Sequence, residues 1–299
     1  MKAGAFVLSV LLMAGGISAS AETPSESVTV IAGKLREAVG KFTSAFATPT
    51  VVTGKIARWE QRICPVVVGQ NAHYAAFITQ HIKYVALAAG APINTEASCT
   101  PNIEIVFTAT PQALLNNVRQ TDRDTLGYAT SNAQLDARAM VTRPIQAWYA
   151  TETVDFAGAR SADHGMARGE GVKMFNSQIY VEKFTRSNGN HINDGVQSGF
   201  SHILIVVDTT RLAGHEIVPL SDYVSMLALT QLGSLDACQP LLSVVNMLAA
   251  NCDHAVEGLT PFDMAYLQGL YRMGAGRKAV FQRNDIADAM VDALVRDHH

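Results

Sequence analysis

"ICPVVVGQNAHYAAFITQHIKYVALAAGAPINTEASCTPNIEIVFT", residues 63–108, carries the pattern on which the fold turns. Val66 to Val68 form a β-branched run bounded by Pro65 and Gly69, which is a strand signal. Ile78, Ile82, Val85 and Ala89 then recur at helical spacing, and Gly90 stands where such a helix would end. Ile103 to Phe107 alternate as a second strand. Strand, helix, strand in immediate succession is a βαβ unit, whose two strands run parallel. Parallel neighbours start at the same edge of a sheet. Cys64, just before the first strand, and Cys99, just before the second, can therefore approach the roughly 5.5–6 Å Cα separation that a disulfide needs.

Downstream, a helical start is expected near Pro111, and "RPIQAWYATETVDFAG" reads as a strand with Trp148 and Tyr149. "SQIYVEKF" is a further strand candidate, and "FSHILIVVDTTRL" is the strongest strand in the chain. Between these lie two long polar loops, 158–171 and 187–200. Loops of that length inside a compact domain are often functional. The last third is helical in pattern: "PLSDYVSMLALTQLG", "QPLLSVVNMLA", "TPFDMAYLQGLYRMG" and "NDIADAMVDALVRD". For the third of these, Thr260 suits the cap, Pro261 the first position and Asp263 the first turn. The expected class is α+β, a mixed sheet with a βαβ start and a helical C-terminal part.

The chain has 299 residues and a net charge of −3. Lys2, the apolar run Ala5–Ala14 and the small residues Ala19 and Ala21 have the form of an export signal, with cleavage expected after Ala21. The apolar run is shorter than the roughly 20 residues that span a bilayer, so no transmembrane segment is expected after cleavage. Residues 22–50 are Ser-, Thr- and Ala-rich and are expected to be a flexible segment with at most a short helix, leaving 51–299 as one domain. A hydrophobic fraction of 48% suffices for a conventional core, and there is no basic run of the kind that tracks phosphates, which argues against nucleic acid.

Four cysteines in an exported chain suggest two disulfides. No C-x-x-C pair is present to begin a zinc knot. Cys238 and Cys252 bracket "QPLLSVVNMLAAN". One unbroken helix there would hold them about 20 Å apart, so their pairing requires a short helix with turns that fold back. The expected bonds are Cys64–Cys99 and Cys238–Cys252.

The succession "KIARWEQRICPVVVG", a helix, "PNIEIVF", a later strand, "DYVSMLALTQLGSLDAC" and "LTPFDMAYLQGLYRMGAG" resembles, over about residues 54–275, a group of secreted bacterial proteins of unknown function, the DUF2927 type, with a zincin-like, metzincin-related fold. Active zincins carry H-E-x-x-H on a helix, two histidines for zinc and a glutamate as general base. Laid on that pattern, "LALTQLG" puts Leu227 and Gln231 at the histidine positions and Ala228 at the glutamate. Leucine cannot ligate a metal and alanine cannot accept a proton. The resemblance implies the fold without the zinc, hence no metal and no cofactor. Helical spacing independently groups Leu227, Ala228 and Gln231 with Val224 on one core-facing side, with Gln231 the weak candidate for a binding contact. The one His-Glu dipeptide, His215–Glu216, has Pro219 where a second histidine is needed and is not a metal motif.

Other chemistry is sparse. His164, His191 and His202 sit in or beside the long loops with Asp163 and Asp194, and are weak candidates for an acid/base or metal cluster. His81 lies beside apolar positions of the first helix and reads as a core-edge residue. In "GVQSG" the serine is one place late for a nucleophile elbow. Ser161, Asp163 and His164 are sequence neighbours, which a triad does not require. Three readings remain. The leading one is an exported, non-catalytic protein of the cell envelope that binds an extended peptide or an envelope protein in a groove beside "FSHILIVVD", by strand addition. The second is an envelope hydrolase using the loop histidines and aspartates. The third is a purely structural component.

Overall fold

The computed structural model describes residues 24–96, 98–163, 172–174, 177–179, 195–212, 214–233, 235, 238–239, 241–249, 252–253 and 256–296. The expected leader, residues 1–21, lies outside them. The chain divides into two compact units, Met1–Lys34 and Leu35–His299.

The βαβ reading holds. Strand β1 (Pro65–Val68) and β2 (Ile103–Thr108) are parallel neighbours. Between them runs a helix, Ala72–Ala89, whose buried face is Ile78, Ile82, Val85, Ala86 and Ala89. Asn71 caps its first turn by accepting from the Tyr74 amide, and Gly90 ends it in the left-handed region. This helix is α2, because an earlier one, α1, runs from Pro24 to Phe46. The short helix expected within residues 22–50 is thus longer than its pattern suggests, and the second compact unit runs from Leu35. Val39, Phe42 and Phe46, one helical face, are wholly buried, with both phenylalanines edge-on to Tyr266. Ser/Thr/Ala-rich composition masks that stripe.

After β2 come α3 (Pro111–Thr121), a 3₁₀ turn (Arg123–Leu126) and α4 (Asn132–Arg138), then β3 (Ile145–Asp155) and β4 (Arg160–Ala162). Strands β5 (Val172–Met174) and β6 (Ser177–Ile179) pair antiparallel as a separate two-stranded sheet. Strand β7 (Val196–Asp208) leads into α5 (Ile217–Leu229), and α6 (Pro261–Arg272) and α7 (Ala279–Arg296) complete the chain. The main sheet has the order β1-β2-β7-β3-β4, with β1, β2 and β7 parallel, β3 antiparallel to β7, and β4 antiparallel to β3. The mixed α/β class is as expected. From Ile203 to Asp208, however, β7 is an interior strand with β2 on one side and β3 on the other, so this stretch offers no edge for strand addition. Its sequence says why: Ile203, Ile205 and Val207 enter one core and Leu204 and Val206 the other. A strand buried on both faces reads as a near-continuous apolar run.

The larger core lies between the sheet and α1, α2, α5, α6 and α7; the smaller lies on the opposite face, under α3, α4 and Trp148. Both expected disulfides form, with Cα separations of 6.1 Å for Cys64–Cys99 and 5.2 Å for Cys238–Cys252. The second pair closes around a short 3₁₀ helix, Val244–Leu248, the kind of short helix its pairing requires. Asp263 explains the tight turn. Its carboxylate accepts from Thr260 in a capping box at α6 and also from Ser243 and the Val244 amide. Among the described residues, no helix is long and apolar enough to cross a membrane.

Helix α5 is the centre of the large core: every residue from Pro219 to Leu229 is buried. The last four carbonyls of a helix lack helical partners, and here water is excluded too. Each has a donor. Met226 accepts from the Thr230 amide. Leu227 accepts from the Tyr149 hydroxyl at 3.0 Å, Ala228 from the Trp59 indole at 2.8 Å, and Leu229 from the Tyr271 hydroxyl at 2.9 Å. Burial pushes the Tyr149 and Tyr271 phenols up, so both stay protonated donors. Tyr149→Phe and Tyr271→Phe each keep the ring and delete one donor. Each should lower the unfolding free energy in urea by about 1–3 kcal/mol at unchanged m-value. No loss would mean that these carbonyls have another donor.

Candidate functional site

Of the residues expected to carry chemistry, the structure describes Asp163 and His202. His164, His191 and Asp194 lie outside the described residues. Asp163 is committed to structure: its two carboxylate oxygens accept from Thr151 and Thr153 of β3, at 2.7 and 2.8 Å. Leu227 and Ala228 are core residues. Gln231 is not on their helical face, because α5 ends at Leu229 and Thr230 is already extended. The aromatic donors close the helix there, and the zinc-motif register laid on this stretch ends before Gln231. The buried Gln231 Oε1 has no hydrogen-bond partner among the described residues. Ser198 hydrogen-bonds Thr50 and Thr53 and is almost wholly buried, so it is no nucleophile.

His202 stands half-buried on β7 in a hollow of about 380 Å³ with Glu104, Asp122 and Asp124. Burial holds its imidazole below the usual histidine range, against the opposite pull of Glu104 and Asp122. The unfolded chain therefore takes up this proton first as pH falls below the ordinary value of about 6.5. The stability His202 contributes is present above that pH and is lost as acid approaches the lowered folded value.

The histidine that does meet a carboxylate is His81. Its Nε2 hydrogen-bonds Asp222 Oδ1 across the α2–α5 contact, its ring stacks on Phe77, and Asp222 Oδ2 accepts from the Leu259 amide at 3.1 Å. A carboxylate behind a histidine is half of a catalytic triad. The hydroxyls nearest in sequence are spent, however: Ser221 donates to the Ile217 carbonyl and Ser225 to the Ser221 carbonyl. The pair ties α2, α5 and the approach to α6 together. Sequence reading placed His81 at the core edge and missed Asp222, which lies 141 residues away.

A hollow of about 520 Å³ lies at the carboxyl ends of β1, β2 and β7. Its position follows from topology. After β1 and β7 the chain enters α2 and α5, which pack on the large core; after β2, between them, it enters α3 on the other face. Where neighbouring strands send their helices to opposite faces, a crevice opens beyond the strand ends. Gly69 shapes it: with φ of 84° it lies so close to the Phe107 carbonyl that a Cβ would sit 2.0 Å from the oxygen. Phe107, Val207, Leu212 and Leu220 form the floor, and Gln70, Tyr74, Thr209, His215 and Glu216 bring polar groups to the walls. His215–Glu216, set aside as a metal motif, thus belongs to this rim. Glu216 caps α5 without a side-chain hydrogen bond to it. Only the turn of α5 toward the strand ends reveals this pair, and no local spacing announces that.

Among the described residues, no group of three or more His, Cys, Asp or Glu side chains is placed to hold a metal ion. No protein-family model, no curated protein and no solved structure matches the chain.

In a His202→Gln variant, the fall in unfolding free energy between about pH 7 and pH 5 should be shallower than in the wild type. Parallel curves would mean that His202 titrates alike in the folded and unfolded chains.

Proposed function

We propose that the chain is an exported binding protein without catalytic activity, whose ligand occupies the hollow at the carboxyl ends of β1, β2 and β7. The hollow itself carries this reading: at about 520 Å³ it has room for a small molecule, is mostly apolar at its floor, and has a few polar groups converging on its rim. That is the usual form of a small-molecule site. Export rests on the signal-like N-terminus and is supported by the two disulfides, which persist in oxidising compartments. Absence of catalysis rests on the sequence motifs and on the commitment of Asp163, Asp222 and Ser198 to structural hydrogen bonds. Under the zincin-like resemblance, α5 would keep the place of the metal helix and none of its chemistry. A peptide ligand would enter over β1, an outer strand of the sheet, rather than along Ile203 to Asp208 of β7, which has both neighbours.

Val218, exposed at the mouth of the hollow, is the position to block. Fragments found by ligand-observed NMR should bind the Val218→Trp variant at least about ten-fold more weakly than the wild type, a difference of about 1.4 kcal/mol. Binders indifferent to that substitution would place the site elsewhere. The protein recovered from a periplasmic fraction should begin at Glu22, by intact mass. A chain that still carries Lys2 would remove the export half of the reading.

A further inference from the structure

Resting on the ligand hollow proposed above, we infer that its ligand is an electrically neutral molecule, with an apolar body and a hydrogen-bonding head such as a carboxamide. The floor of Phe107, Val207, Leu212 and Leu220 suits an apolar body. Gln70 and Thr209 stand at the strand ends; each can both donate and accept, and neither carries charge.

The choice between a neutral and an ionic head is decided by the charge balance at the rim. Among the described residues that line the hollow, Glu216 is the one carboxylate, and His215 and the Tyr74 phenol are the other ionisable groups. Two helices, α2 and α5, begin at this hollow: Gln70 precedes the Asn71 cap of α2, and Glu216 is the cap of α5. Each helix start acts as about half a positive charge. The two halves offset the one carboxylate, leaving a sum near zero when His215 is neutral. A carboxylate or ammonium head entering this hollow gives up hydration and meets no net counter-charge. An amide gives up less and finds partners of its own kind.

The test compares phenylbutyramide, phenylbutyrate and phenylbutylamine, which share one apolar body, by calorimetry on the mature protein at low salt and mildly alkaline pH. The amide should bind at least about ten-fold more tightly than either ion. Glu216→Gln leaves the two helix starts uncompensated, and should shift the preference toward the carboxylate by about ten-fold. Glu216 is exposed and makes no side-chain cap bond, so the variant is expected to fold as the wild type does. If the wild type binds either ion as tightly as the amide, the neutral-ligand inference is overturned and the hollow remains the binding site. An order of preference unchanged by Glu216→Gln overturns it equally. If none of the three binds, or if all bind the Val218→Trp variant as well as the wild type, the hollow reading fails and the inference with it.

Discussion

The carbonyls of Leu227, Ala228 and Leu229 end a helix that is buried on every side, and they can be satisfied only by donors brought to them through the core. The donors come from three separate places. Trp59 lies in the segment before β1, Tyr149 on β3 and Tyr271 on α6. Leaving one such acceptor unpaired costs about 1–3 kcal/mol, a large fraction of the stability of an ordinary domain. α5 can therefore adopt its position only when the sheet and α6 are in place around it. The same three bonds decide what the C-terminal end of α5 cannot do. Its acceptors are occupied and its side chains, Leu227 and Ala228 among them, are packed in the core.

The other end of the helix is the opposite case. His215, Glu216 and Val218 are exposed, and the first turn faces the strand ends across the hollow. Parallel strands impose this polarity. Each β-to-α connection leaves at the carboxyl edge, so helix starts and open space gather there, while helix ends gather at the other edge. α5 thus has a closed end that holds the fold and an open end available to a ligand. His81 and Asp222 lie on the contact between the two helices that wall the hollow, and their bond fixes how α2 and α5 meet.

Local patterns carried the parts of the fold that are local. The βαβ unit, the Gly90 stop, the Thr260–Asp263 cap and both disulfides follow from spacing and turn chemistry over short distances. What depended on distant contacts was not legible. Residues 22–50 look loose by composition, and it is the packing of Phe42 and Phe46 on Tyr266 that brings α1 from Leu35 onward into the core. β7 was legible as a strand but not as an interior one, since its neighbours are settled by pairing with β2 and β3. Gln231 fits a helical face by counting, yet the aromatic donors and an extended Thr230 stop the helix first. The hollow is the furthest removed from sequence: Gln70, Phe107, Thr209 and Glu216 share no motif and meet through topology alone.

The division of α5 into a closed and an open end can be measured directly by native-state amide hydrogen exchange resolved along the helix. Amides from Val224 to Thr230 should exchange only by global unfolding, while those of Ile217 and Val218 should exchange freely and slow when a ligand fills the hollow. Free exchange at Met226 to Thr230, or ligand protection confined to residues away from Ile217 and Val218, would contradict it.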